Sequence, residues 1–173
     1  MKKYTEENTI RCFEEALKDI DNLYNSRVCN RKGKTKDTGV YYTEIIAKKL
    51  LDNIEVFNAI KPLIRKKSYN ANHTGQQGPD TLRKEEILAK HMFNKYYTNL
   101  GEVIDYQVPT GKRKKCIDLL VKTDEGILSI VELKHINNEK ETLLRSVLEI
   151  ETYYHALNIK KLYDDFKISV SKD

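Results

Sequence analysis

Hydrophobic positions recur with two different periods along this chain. Ile10, Phe13, Ala16, Leu17, Ile20 and Tyr24 are spaced by threes and fours, which predicts an amphipathic helix near the N-terminus. A polar, basic loop follows from Asn30 to about Thr38. Tyr42, Ile45, Ile46 and Leu50 then predict a second helical stretch that runs on toward Ile60, with Pro62 close behind. Residues 66–80, KKSYNANHTGQQGPD, carry turn chemistry and little to bury, so they read as a long surface loop. The segment TLRKEEILAKHMFNKYY (81–97) reads as a helix capped by Asp80 or Thr81 and stopped by Gly101. Glu85 and Glu86 fall in its early turns, where the helix dipole favours acids. Either Leu88, Met92 and Tyr96, or Ile87, Phe93 and Tyr97, would face a core.

Beyond Gly101 the pattern becomes that of strands. EVIDYQV (102–108), CIDLLVK (116–122) and ILSIVELK (127–134) are rich in Ile, Leu and Val and bounded by turn residues. NEKETLLRSVLEIETYYHAL then returns to helical spacing, with Leu143, Leu144, Val147, Leu148 and Tyr154 as its apolar stripe. The tail, KLYDDFKISVSKD, is expected to supply at most one short strand. The expected fold class is α/β with a mixed sheet: an N-terminal helical extension over 1–65, a loop over 66–80 and an α/β core over 81–173.

Two of these strands contain charges where apolar residues would serve packing better. Thr123-Asp124-Glu125-Gly126 separates them. A three-residue loop with Gly126 left-handed would pair Thr123 with Ile127, Leu120 with Ile130, and Asp118 with Glu132. Opposed residues share a face, and the period of two adds Lys134 to it. A two-residue loop would instead pair Asp118 with Val131 and split the acids between faces. Close carboxylates resist joint ionisation unless something positive intervenes. A hard divalent cation does this while retaining waters for chemistry.

Composition narrows the setting. The chain has 173 residues, 33% charged and 39% hydrophobic, a foldable balance for one domain with an extension. No apolar run approaches the ~20 residues of a membrane span, and no signal core follows the basic start. Cys12, Cys29 and Cys116 form neither a disulfide framework nor a zinc pattern, which suits a reducing cytoplasm. His73, His91, His135 and His155 are scattered and make no HExxH spacing. The net charge of +5 is clustered in RKGKTK (31–36), RKK (65–67) and KRKK (112–115), as a polyanionic partner would require. KRKK enters the Asp118 strand from the end where the charged set gathers.

An acid on one strand followed by acid-x-Lys on the next, here Ile117-Asp118 and Glu132-Leu133-Lys134, resembles the PD-(D/E)XK nuclease superfamily. The similarity covers roughly residues 81–160, with Ile-Asp in place of Pro-Asp. It implies a restriction-endonuclease-like core: helix, three-strand antiparallel meander, helix and a last strand, for which FKISV or another subunit is the candidate. An open sheet edge would then favour a homodimer. The resemblance further implies a Mg²⁺- or Mn²⁺-dependent nuclease acting on nucleic acid, DNA ahead of RNA, with no membrane partner. Asp118, Glu132 and Glu86 would bind metal, with Glu85 as the rival to Glu86, and Lys134 would position water. Lys112, Arg113, Lys114, Lys115 and Arg83 would contact phosphates. Glu151, Tyr153 and His155 are loose matches to substrate-contacting positions on the following helix. Two rivals stand beside this reading. One is a catalytically silent nuclease-like domain that binds nucleic acid or protein. The other is a helical interaction protein using Tyr4, Phe13, Tyr24, Tyr41 and Tyr42.

Overall fold

A computed structural model describes residues 5–74, 83–111, 115–135 and 141–168. The protein is mixed α/β, and the chain divides into two compact units. Met1–Lys61 and Asn137–His155 form one, and Pro62–Ile136 and Ala156–Asp173 form the other.

The first unit is helical. Helix α1 (Glu6–Leu17) begins at Thr5, whose hydroxyl accepts the Asn8 N–H at 3.2 Å. The expected single helix through Tyr24 is interrupted at Asp19, and Ile20–Asn25 continues as a tighter 3₁₀ turn. The Asp19 carboxylate accepts from the Asn22 amide there, a local bond that competes with helix continuation. Helix α2 (Tyr42–Leu51) ends in the same manner. The Asn53 side chain donates to the Lys49 carbonyl at 2.8 Å, and Ile54–Ala59 forms a second 3₁₀ turn. Phe13, Tyr24 and Tyr42 are core residues, Tyr41 is exposed, and Tyr4 lies outside the described residues.

Helix α4 (Leu143–Ala156) belongs almost wholly to this unit. Its expected apolar stripe is only partly the buried one. Leu148, Tyr153 and Ala156 are buried, whereas Leu143, Val147 and Tyr154 are exposed. Polar groups take the remaining inner positions: Ser146, Glu149 and Thr152 are buried, and the Tyr153 hydroxyl donates to Glu149 at 3.0 Å.

The second unit holds a four-stranded antiparallel sheet in the order β1 (Tyr96–Tyr97), β2 (Gly101–Pro109), β3 (Cys116–Lys122), β4 (Leu128–Val131). Among the described residues every strand pair is antiparallel, where a mixed sheet was expected. Helix α3 (Lys84–Met92) packs on one face of it. Ala89 joins Val103, Tyr106, Leu119 and Val121 in a buried cluster, with Met92, Phe93, Val131 and Leu133 against it.

Two elements differ from expectation. Helix α3 stops at Met92 and does not reach Tyr97. Asn94 turns left-handed at φ +57°, and its N–H reaches the Val103 carbonyl at 2.9 Å. The β-favouring Tyr96 and Tyr97 then pair with Glu102 and Gly101. Gly101 therefore serves a hairpin, not a helix stop. Asp80 and Thr81, the expected caps, lie outside the described residues, and Arg83 stands at the N-cap.

The tail holds helix α5 (Ile159–Phe166), which ends where FKISV, the expected strand, begins. Ile159, Leu162 and Phe166 have the three-and-four spacing of a helix, and Leu162 is buried. Asn158 caps its start by accepting the Lys161 N–H at 3.0 Å, and Lys167 ends it at φ +54°. Residues 169–173, which include the end of FKISV, lie outside the described residues. The Tyr163 hydroxyl accepts the Leu128 N–H at 3.1 Å, joining α5 to the start of β4.

Candidate active site

The hairpin closes as its turn chemistry dictates. Gly126 is left-handed at φ +79°, its N–H bonds the Thr123 carbonyl at 3.0 Å, and the Thr123 N–H bonds the Ile127 carbonyl at 2.9 Å. The ladder then pairs Leu120 with Ile130 and Leu119 with Val131. The next opposed pair in this register is Asp118 with Glu132. Formal pairing ends one residue earlier, so Glu132 and Lys134 extend past β4 and do not lie within a strand as expected.

Alternation nonetheless persists past the strand end. Val131 and Leu133 both pack against the α3 cluster, so Glu132 between them is turned to the opposite face. Leu119 and Val121 lie in that same cluster, which turns Asp118 to the opposite face as well. The Leu133 N–H donates to Asp118 Oδ2 at 2.8 Å and ties the two chain segments together beyond the ladder. Asp118 is buried, with 6% of its surface exposed. Lys134 Nζ donates to Glu132 Oε1 at 2.7 Å. The acid-x-Lys set is thus assembled beside the buried acid.

Sequence reasoning passed over a third participant. Between the β2–β3 pairs Tyr106–Leu119 and Val108–Ile117, Gln107 stands opposite Asp118. Its Nε2 donates to Asp118 Oδ1 at 2.8 Å. The signal was present in EVIDYQVP, where Asp105 and Gln107 alternate with the apolar Tyr106 and Val108. Asp105 is also buried and accepts the Tyr106 N–H at 2.8 Å. It lies 2.6 Å from Nδ1 of His73, whose ring stacks on Tyr106 at 4.3 Å. His73 is therefore engaged with the sheet.

The two glutamates of α3 are set apart. Glu85 Oε1 accepts the His135 N–H at 3.3 Å, at the end of the Glu132-Leu133-Lys134 segment. Its carboxyl titrates below the ordinary glutamate range. The largest cause is the bond to its own backbone N–H in the first helical turn, followed by the His135 N–H and the Lys134 charge acting against partial burial. Glu86 pairs with Lys90 one helical turn on, at 3.1 Å. Its charge also acts on Cys116 at the start of β3. Burial pushes the Cys116 thiol up; Arg83 and Arg65 pull it down, and Asp118 and Glu86 push it up. Glu86, Asp118, Arg83 and Arg65 thus all act on one point.

Thr110 and Lys115 close the β2–β3 connection, with the Thr110 N–H on the Lys115 carbonyl at 3.0 Å. Lys115 therefore leads directly into Cys116-Ile117-Asp118, and Arg83 is exposed nearby. Lys112, Arg113 and Lys114 lie outside the described residues. Gly111 in this turn sits against Leu63 and Arg65, which brings the RKK segment alongside. The loosely matched α4 residues serve the first unit: Tyr153 packs edge-on to Tyr24, and His155 stacks on Phe57 and lies 3.1 Å from Glu151.

Among the described residues, no three His, Cys, Asp or Glu side chains are close enough together to hold a metal ion. The carboxylates are instead met by protein donors: Asp118 by Gln107 and Leu133, Glu132 by Lys134, Glu85 by His135, and Glu86 by Lys90. Among the described residues, no helix is long and apolar enough to cross a membrane. Comparisons with protein-family models, with curated proteins and with solved structures gave no match.

Proposed function

We propose that this chain is a divalent-metal-dependent phosphodiesterase, a nuclease of the PD-(D/E)XK type with a restriction-endonuclease-like core. The carrying observation is the hairpin register, continued by the Leu133 N–H bond to Asp118, which gathers Asp118, Glu132 and Lys134 at one end of the sheet. The order α3, the β2–β3–β4 meander and a following helix supports the same reading.

The donor chemistry fits a hard cation. Asp118 and Glu132 offer only carboxylate oxygens, which suit Mg²⁺ or Mn²⁺, whereas Glu85 and Glu86 lie on the helix that packs on the opposite face. Asp118 is buried and its oxygens accept from Gln107 and Leu133, so a cation would share this carboxylate with two protein donors. A cation held by Asp118 and Glu132 would supply a water of lowered pKa and polarise a phosphoryl oxygen. Lys134, beside Glu132, orients the attacking water and meets the charge that develops on phosphorus-bound oxygens. Attack forms a new P–O bond and expels the ester oxygen as a hydroxyl. Lys115, Arg83 and the basic turn before β3 hold the backbone phosphates of the strand being cut, with DNA ahead of RNA. Cleavage of single- and double-stranded DNA and of RNA with Mg²⁺, Mn²⁺ or EDTA tests this reading.

A second reading is favoured by a specific observation. Lys134 holds Glu132 at 2.7 Å and two N–H donors hold Asp118, so the charged set is internally balanced. A catalytically silent domain that binds nucleic acid through its basic segments would have this arrangement. It would bind without metal and with steep salt dependence.

A further inference from the structure

We infer that the cleft between α2 and α4, within the helical unit, is the face on which two copies of this chain pair about a two-fold axis. Ala47, Leu50, Leu51, Ile54, Leu143 and Val147 line a groove of about 770 Å³ there. Its polar members are engaged elsewhere. Glu44 pairs with Lys48 at 2.9 Å. The Thr142 hydroxyl donates to the Cys29 carbonyl at 2.7 Å and accepts the Arg145 N–H at 3.1 Å. A small-molecule site adds a few placed polar groups to such a floor. The walls also stand away from the floor. Leu50 is buried, whereas Leu143 is 82% exposed and Leu51 is 73% exposed. A small ligand in the groove would leave both walls in water, and a second protein surface would cover them.

Area and charge select a second copy as that surface. Tyr41, Leu51, Ile54, Leu143 and Val147 are all exposed. Together they bare apolar surface on the order of 500 Å², the upper part of the range for a lone chain. A charged rim brings this toward the ~800 Å² per partner of a stable interface. The rim differs in sign from end to end. Lys32 and Gly33 border the groove beside Tyr41, at the start of α2. Lys34 pairs with Tyr41 through the backbone, and its ammonium lies 4.6 Å from the ring centroid. At the other end, Leu51 and Ile54 are flanked by exposed Asp52 and Glu55. A two-fold axis across the groove sets the two α2 helices antiparallel, so the basic end of each copy meets the acidic end of the other. The apolar walls then meet at the centre, inside a charged rim. A uniformly acidic partner would match one end only.

Sedimentation velocity of the full chain from about 1 to 100 μM tests the inference, using wild type, Leu143→Glu, Leu51→Lys and Ile64→Glu. Wild type is expected to pass from monomer to dimer across this range. Each of the first two variants should raise the dissociation constant at least tenfold, because it puts a charge at the apolar centre. Both spare the fold. Leu143 stands in the first turn of α4, where an acid is favoured, and Leu51 in the last turn of α2, where a base is. Unchanged circular dichroism spectra check this. Ile64 is exposed in the other unit, and Ile64→Glu should leave the dimer intact. A wild type that stays monomeric throughout would overturn the inference and leave the groove to another partner. A dimer that persists in either groove variant would place the interface elsewhere and overturn it. Equal weakening by Ile64→Glu would show unspecific association and overturn it too.

Discussion

The Leu133 N–H lies 2.8 Å from Asp118 Oδ2, two residues past Val131, the last residue of β4 to pair with β3. This bond holds the acid-x-Lys segment beside the buried acid after the ladder has ended. It also makes Asp118 a structural acceptor. Asp118→Asn would turn an amide N–H toward one of the two donors. We expect a loss of about 1–3 kcal/mol in stability, the cost of leaving a buried donor unmatched. Urea denaturation of the two proteins measures it, and an unchanged midpoint would contradict the described contacts.

Leu119 is fully buried where α3 meets the sheet. Leu119→Ala should destabilise the second unit by about 2–5 kcal/mol through lost transfer energy and a residual cavity. The same substitution at exposed Leu143 should cost far less, on the order of 0.5 kcal/mol or below. Comparing the two by denaturant titration checks which side of each helix is the core.

Among the described residues, Gly101 is the one glycine whose replacement meets backbone rather than space. Its φ is +109°, and a Cβ there would run into the carbonyl oxygen of Lys122. Gly101→Ala should lower the melting temperature by several degrees, as expected for a loss of a few kcal/mol. Gly126→Ala, at φ +79° with no atom within 4 Å, should cost only the backbone preference. Equal melting temperatures for the two variants would count against this strand pairing.

Asp165 carries a pH prediction. Burial alone would raise its carboxyl, but the Lys161 ammonium at 2.9 Å and the Tyr69 N–H at 2.7 Å outweigh that and lower it. A carboxyl depressed on folding contributes stability that is present above its unfolded value, near 3.8, and lost as pH falls through the folded value. Asp165→Asn should therefore flatten the acid limb of the stability curve below that value. The difference should be modest, because a single carboxylate carries it. An acid limb identical to wild type would remove Asp165 from the account.

Much of the second unit was legible because strands with period-two alternation and a Thr-Asp-Glu-Gly turn leave little choice of register. Cys116–Lys122 and the Thr123–Ile127 closure follow from that pattern. What was not legible depends on competition between local and distant partners. Tyr96 and Tyr97 fit a helix until the returning strand offers them a ladder. Helix α5 was hidden by β-branched residues just beyond it, although Ile159, Leu162 and Phe166 already had its period. The buried side of α4 could not be chosen from spacing alone, since both Leu143/Val147 and Leu144/Leu148 make plausible stripes. At the site, the acids and lysine were readable, whereas Gln107 was not. Its bond to Asp118 is a cross-strand contact made from a left-handed backbone, which no residue type announces.

The most direct test is cleavage of DNA and RNA by wild type and Lys134→Ala, in Mg²⁺, in Mn²⁺ and in EDTA. Metal-dependent cutting by wild type is predicted, with a loss on the order of 10²-fold or more in the variant and an unchanged circular dichroism spectrum. Equal cutting by the variant, or cutting that persists in EDTA, would contradict the account. So would a well-folded wild type that binds nucleic acid in every buffer and cuts in none.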